Sequence, residues 1–385
     1  MKQRSYKATG INLKAMAMGE SDRLVTVLTK EQGLIRAIAP GARKHKSRLG
    51  GRSGLFVVNE GLFTKGKSID KLVQAETVKS FPGLSTNLAK LTASQYLAEI
   101  ALSQALTEQP QEELYYLLIE HLTRLERAPQ SNILPCLTQG TFHLLALAGV
   151  APEVFRCCLT RSPLDIELGN PDWRVGFSVS SGGAVSLGEI ENMERDRLHQ
   201  VERLEEDRLA RLGQLPPNAT PLVQEATANY ANSPTLETTI TTHTQTHTPS
   251  PSRQIPRPTF INPNGTYHSM AARGGPNISI HAIISKEIAR DLGLVGYLSA
   301  AELALMQQLS KPELVMGSSP ISSRSGTIKS GTIGSNSLGA NGSALFESGP
   351  HQLWRHIEKF LRHYTQYQLD RPIRSAALID TCFNT

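Results

Sequence analysis

Five cations fall within ten positions, Arg43, Lys44, Lys46, Arg48 and Arg52, with His45 among them, in the run PGARKHKSRLGGR. Lysine and arginine clustered in this way suit phosphate binding rather than covalent chemistry. No fixed geometry is demanded, only enough positive charge to displace the counterions condensed on a polyanion. A charge run can equally be a plain solvated loop, so the wider balance decides. No acidic residue occurs between Gln32 and Asn59. Residues 1–80 hold 16 Lys and Arg against 6 Asp and Glu, a net +10, whereas the whole chain is +6, so the remainder is net negative. A positive field confined to one N-terminal module is the footprint of a nucleic-acid binder. Arg23 and Arg36 come next as phosphate contacts, then Lys65 and Lys67, with Arg4, Lys7 and Lys71 extending the track. Tyr6, Phe56 and Phe63 are candidate stacking platforms for bases, although each fits a core at least as well.

Other spacings suggest chemistry and then lose it to their context. Gly61, Gly66, Lys67 and Ser68 in GLFTKGKS match the phosphate-loop pattern letter for letter, which by itself suggests a nucleotide triphosphatase. That loop needs a buried strand before it and a helix after it. Here the following IDKLVQAETVKSF alternates as a strand, so Lys65–Ser68 reads as a hairpin turn, and the Walker-B-like AALID ending at Asp380 follows a surface-type helix. Four cysteines, Cys136, Cys157, Cys158 and Cys382, form neither a disulfide framework nor two paired zinc spacings. His243 and His247 are four apart, but in a segment without helix signals. No metal, cofactor or catalytic dyad is therefore expected, and the chain does not read as an enzyme. The start MKQRSYKATG lacks the apolar core of a secretory signal and no run of 18 apolar residues occurs, so a cytosolic location is expected.

Positioning the cations falls to five β-type runs in the first eighty residues, at 6–13, 23–29, 34–39, 54–64 and 71–81. Five short strands in this length suggest a small OB-type barrel, whose open face and loops commonly bind single-stranded nucleic acid. The basic run, between Pro40-Gly41 and Gly50-Gly51, is expected to be a mobile loop on it. From Ser85 the apolar period becomes helical, and helices are predicted near 85–100, from Pro110, and over 133–148. Ser299 with Glu302 makes a capping box, and 351–367 is strongly amphipathic. EIENMERDRLHQVERLEEDRLARL, residues 189–212, is a charged helix with a narrow apolar stripe, either a solvated face or a partner-binding coil. The expected class is α+β, with an OB barrel over 1–82 and a helical domain over 83–212, 278–316 and 350–385. It is interrupted by low-complexity insertions at 213–277 and 317–349.

The run GESDRLVTVLTKEQGLIRAIAPGARKHKSRLGG, the KGKS turn, the strand ending AETVKSF and the helix containing YLAEIAL resemble the RecO family of bacterial recombination mediators. WRHIEKFLRHYTQYQLDRPIRSAAL is similar to the closing helix and tail of that family. The resemblance covers roughly 1–165 and 278–380. It implies binding of single- and double-stranded DNA and annealing of complementary strands. It also implies work with RecR and single-strand-binding protein to load RecA, in the cytoplasm at the nucleoid. Many members carry a four-cysteine zinc module after the third helix. In the corresponding region, about 150–188, this chain keeps Cys157 and Gly182-Gly183, but residue 160 is Thr and the second cysteine pair is absent. The rival expectations are an OB-type RNA-binding protein and, behind it, the phosphate-loop triphosphatase.

Overall fold

A computed structural model describes residues 5–213, 260–261, 267–268, 280–312 and 350–383. Five strands, β1 (Ser5–Met18), β2 (Asp22–Thr29), β3 (Gly33–Ala39), β4 (Val57–Thr64) and β5 (Asp70–Ser80), close into a barrel in the order β1-β2-β3-β5-β4. Neighbours are antiparallel except β3 and β5, which pair in parallel. This is the OB-type barrel expected from the strand count. Its closure depends on the length of β1, which pairs with β2 over Gly10–Met18 and with β4 over Ser5–Ile11. Where β1 changes partner, a Cβ at Gly10 would stand 2.7 Å from the Leu28 carbonyl oxygen, so no larger residue fits. Alternation then selects the inner face. Val25, Val27, Ile35, Ala37, Phe63, Leu72 and Ala75 are buried in one core.

Helices α1 (Leu88–Gln104), α2 (Glu112–Arg127) and α3 (Ile133–Leu147) follow, close to the predicted positions. Asn87 caps α1 by accepting from the amides of Ala89 and Lys90, which sets its start three residues after Ser85. Farther on lie β6 (Arg174–Ser178), β7 (Gly183–Ser186), α4 (Leu187–Gly213), the short strands β8 (Phe260–Ile261) and β9 (Tyr267–His268), α5 (Ile280–Asp291), β10 (Leu294–Ser299), α6 (Ala300–Gln308), α7 (Pro350–Leu369) and α8 (Ala376–Phe383). Two compact units result, residues 1–189 with 292–385, and residues 190–291. In the first, α1, α2, α3 and α8 share a core with Ile11, Leu13, Leu28 and Phe56 of the barrel region. The reciprocal Ser299–Glu302 capping box starts α6 as predicted. The helical part carries one addition, an antiparallel sheet in the order β10-β6-β7, packed through Val175, Phe177 and Leu298 on α6 and α7. Its strands are short and its third member comes far downstream, so the local pattern gave little strand signal.

The second unit holds most of α4, α5 and the β8–β9 ladder, with an Arg197–Asp291 ion pair at 3.2 Å. The expected insertions, and His243 and His247 with them, lie outside the described residues apart from Gly213 and that ladder. Among the described residues no helix is long and apolar enough to cross a membrane.

Candidate nucleic-acid interface

Residues 40–56 connect β3 to β4 and carry the basic run. The segment expected to be a mobile loop is attached to the barrel at several points. Asn12 Nδ2 donates to the Arg52 and Gly54 carbonyls at 2.8 and 2.9 Å, and Asn59 Nδ2 donates to Arg52 at 2.7 Å. Arg23 Nη1 donates to the Gly50 carbonyl at 3.0 Å and to Ser53 Oγ at 2.9 Å. Asp22 Oδ1 accepts the Gly41 amide at 2.8 Å, and the Arg43 amide donates to Ser21 at 2.9 Å. Between these ties, Ala42 and Leu49 are buried in the barrel core. Lys46 and Phe56 take left-handed backbone angles, φ 59° and 56°, which bend the segment tightly enough to stay on the barrel. Phe56 therefore belongs to the loop, and β4 starts at Val57 rather than at Gly54.

This frame holds the cations outward. Arg43, Lys44, His45, Lys46 and Arg48 are exposed, while Arg52 is half-buried with its carbonyl taken by Asn12 and Asn59. Among the described residues the side chains of Lys44, Lys46 and Arg48 have no hydrogen bond or ion pair. Arg43 donates through Nη1 to the Gly19 carbonyl at 2.7 Å. Positive charge not taken up in a side-chain hydrogen bond or ion pair, on a backbone with several attachments, is available to phosphate without a large ordering cost. Asp22 stays ionised and offsets part of the charge at Lys44. Its carboxyl sits below the usual carboxylate range because the Gly41 amide, then the Ser21 hydroxyl, hold it, with Lys44 and Lys71 adding attraction.

The remaining predicted residues divide. Arg36, on β3, and Lys67, in the β4–β5 turn, are exposed and unpaired among the described residues. Arg23 serves as a loop tie. Lys65 is paired with Glu108 at 2.7 Å, which raises its pKa, and Lys7 is paired with Glu60 at 3.5 Å. Arg4 lies outside the described residues. The aromatics form no exposed platform. Phe56 and Phe63 are each 3% exposed, and Tyr6 stacks on Phe63 with centroids 5.6 Å apart and its hydroxyl on Asp70. Asn12, Asn59 and Asp22 were missed by sequence reasoning. The available signal was an Asn inside an otherwise apolar strand run, where a buried amide must find backbone partners.

The phosphate-loop letters are a turn. Residues 65–69 join two antiparallel strands, Gly66 donates its amide to Asp70 Oδ1 at 2.9 Å, and a Cβ there would lie 1.9 Å from the Ile69 carbonyl oxygen. The glycine is required by tightness, and no helix follows to face a phosphate. Asp380 lies on α8, a helix rather than a buried strand, and is bonded to Arg362 at 2.6 and 2.9 Å. Among the described residues no group of three His, Cys, Asp or Glu side chains is arranged to hold a metal. Cys157 Sγ instead accepts the Ser186 amide at 3.4 Å, and Thr160 bonds Ser162 at 2.8 Å.

Comparison with known proteins adds an independent line. The family profile described as Recombination protein O N terminal matches residues 1–81, and that described as Recombination protein O C terminal matches residues 85–231. The DNA repair protein RecO of a Nostoc species is 43% identical over 383 residues, covering 99% of this chain and 97% of its own length. That of Acaryochloris marina is 40% identical over 380 residues, covering 99% and 96%. The Gloeothece citriformis protein is 63% identical over 185 residues, 48% of this chain and 65% of its own length.

Proposed function

Because this chain belongs to the Recombination protein O family of DNA repair and recombination proteins, we propose that its barrel binds both single- and double-stranded DNA. In this reading it anneals complementary strands without catalysing a covalent step. The observation that carries it is the exposed group Lys44, Lys46 and Arg48, whose side chains make no hydrogen bond or ion pair among the described residues, on a segment attached through Asn12, Asn59 and Arg23. Pairing of complementary strands is already downhill. What opposes it is phosphate repulsion, which a cationic surface touching both strands removes by releasing counterions. No nucleotide is consumed and no cofactor is needed.

Within the same reading, the chain acts with RecR, takes single-strand-binding protein as its other partner, and thereby helps RecA onto DNA. A cleft of about 490 Å³ between α7 and α8, lined by Leu134, Arg355, Lys359 and Phe383, is the place proposed for an acidic protein tail. There Arg362 engages both acids of the cleft, Glu358 and Asp380, leaving Lys359 for an incoming carboxylate.

Annealing of complementary oligonucleotides, without ATP or metal and across a salt series, tests the central claim. The native chain is compared with a variant carrying Arg43→Glu, Lys44→Glu, Lys46→Glu and Arg48→Glu. Fast annealing that falls steeply with salt and is lost in the variant supports the reading. Salt-insensitive or absent annealing by the native chain overturns it, and preference for structured RNA over DNA would favour the RNA-binding alternative.

A further inference from the structure

Where α1 ends, α2 begins and α3 ends, the helical part carries an open groove of about 720 Å³. Its walls include Gln104 of α1, Glu112, Glu113 and Tyr116 of α2, and Leu147 of α3. Tyr116 and Leu147 are 50% and 38% exposed, so the apolar wall is open to solvent. Glu112 and Glu113 are exposed, and among the described residues their carboxylates make no hydrogen bond or ion pair. Lys30 Nζ lies 5.4 Å from the centre of the Tyr116 ring and pairs with neither glutamate. α3 adds the negative end of its dipole, with no basic residue in its last turn. Gln104 Nε2 is buried and makes no hydrogen bond. Acids in the first turn of α2 complement that helix's own dipole, but this does not explain the apolar wall beside them or the unpartnered amide. The groove is also anchored. At the β2–β3 turn the Leu34 amide donates to the Leu106 carbonyl at 2.8 Å, and the Gln111 amide donates to that of Lys30 at 2.9 Å. This turn is at the opposite end of β3 from the basic loop.

We infer that this groove is a docking site for a short basic segment of a partner protein, one that carries Lys or Arg beside a leucine-sized side chain. Charge complementarity selects that occupant. Two unpaired carboxylates and a helix C-terminus attract a cation and repel both phosphate and an acidic peptide. Tyr116 and Leu147 supply the surface against which an aliphatic side chain, or the stem of an arginine, is buried. A small rotation of Gln104 brings its amide nitrogen to a main-chain carbonyl of the incoming segment, which satisfies a donor that now has no acceptor. Because the walls are helix ends tied to the barrel, little ordering is needed on this side of the interface. The inference does not depend on DNA binding. With the groove and the basic loop at opposite ends of β3, a protein partner and a polyanion can be held together.

The test uses the full chain and three short labelled peptides followed by fluorescence anisotropy. One is built of leucine, alanine and arginine, the second has glutamate in place of arginine, and the third has serine in place of leucine. Binding over a salt series is compared for the native chain, a variant with Glu112→Gln and Glu113→Gln, and Leu147→Ser, with sedimentation of each protein alone. The native chain is expected to bind the first peptide more tightly than either of the others. The glutamine variant is expected to lose about threefold to tenfold in affinity for it, together with most of the salt dependence. Leu147→Ser is expected to lose about fivefold to tenfold with the salt dependence retained. Affinity for an oligonucleotide should be the same in all three proteins. Equal binding of the three peptides, no binding of the first, or an affinity for it that either variant leaves unchanged overturns the inference. Self-association of the native chain that is lost in the glutamine variant overturns it in favour of a second copy as the occupant.

Discussion

Replacing Arg23 by Ala separates two roles that the sequence left confounded. As a phosphate contact, Arg23 would contribute to the electrostatics of binding. In the structure its guanidinium donates to the Gly50 carbonyl and to Ser53 Oγ, at 3.0 and 2.9 Å, and so fixes the middle of the basic loop. Hydrogen bonds from a charged donor contribute roughly 1.5–3 kcal/mol each, but Arg23 is half-exposed and water replaces part of the loss. A destabilisation of about 1.5–3 kcal/mol in total is therefore expected. The salt slope of DNA binding should not move, because no phosphate contact is removed. Lys44→Ala gives the opposite pattern. Its stability should stay within about 0.5 kcal/mol, while the slope of log K against log salt loses about 0.7 on a single strand and about 0.9 on a duplex. Urea unfolding and a salt series of binding isotherms on both variants measure the two quantities. If Arg23→Ala lowers the slope by about 0.7 and leaves the urea midpoint unchanged, the loop-tie assignment is wrong and Arg23 is a phosphate ligand.

Further outcomes follow from other residues. Gly66→Ala should destabilise the barrel, since the added Cβ would meet the Ile69 carbonyl oxygen at 1.9 Å, whereas Lys67→Ala should leave stability alone. A nucleotide site would instead make Lys67 the sensitive position in an ATP-turnover assay, and no turnover is expected from the native chain. His121 is buried against His143, with ring nitrogens 3.1 Å apart, and burial first, then the neighbouring ring, drives its pKa down to about 3. The unfolded chain therefore binds a proton that the folded one refuses between about 6.5 and about 3, so stability should fall as pH drops through that window. His121→Gln should flatten the fall in urea titrations at successive pH values. Asn12→Ala should free residues 52–54 by removing two part-buried hydrogen bonds, read as faster amide exchange across the loop. Treatment with a strong zinc chelator should leave the melting curve of the native chain unchanged.

Much of this protein was written in local pattern. Alternation at 6–13, 23–29, 34–39, 54–64 and 71–81 pointed to the five strands, the Ser299–Glu302 pair to a helix start, and the spacing of cations from 43 to 52 to an exposed basic segment, whereas the Asn87 cap that begins α1 was not read in advance. These signals are short-range, because backbone geometry and side-chain period act within a few residues. Tertiary structure alone decided which cations remain available. Arg23 and Lys65 are chemically equal to Lys44 and Lys67 in the sequence, yet one is spent on the Gly50 and Ser53 groups and the other on Glu108. The phosphate-loop letters, by contrast, were legible as a turn from the alternation of the residues after them, and the pairing of β4 with β5 agrees. That Met16, Leu24 and Ile38 share one row on the outer face of β1, β2 and β3 could not be read in advance, since the row is assembled from three strands by register. Its exposure depends on which face the barrel closes around, and that choice is made by packing of distant residues.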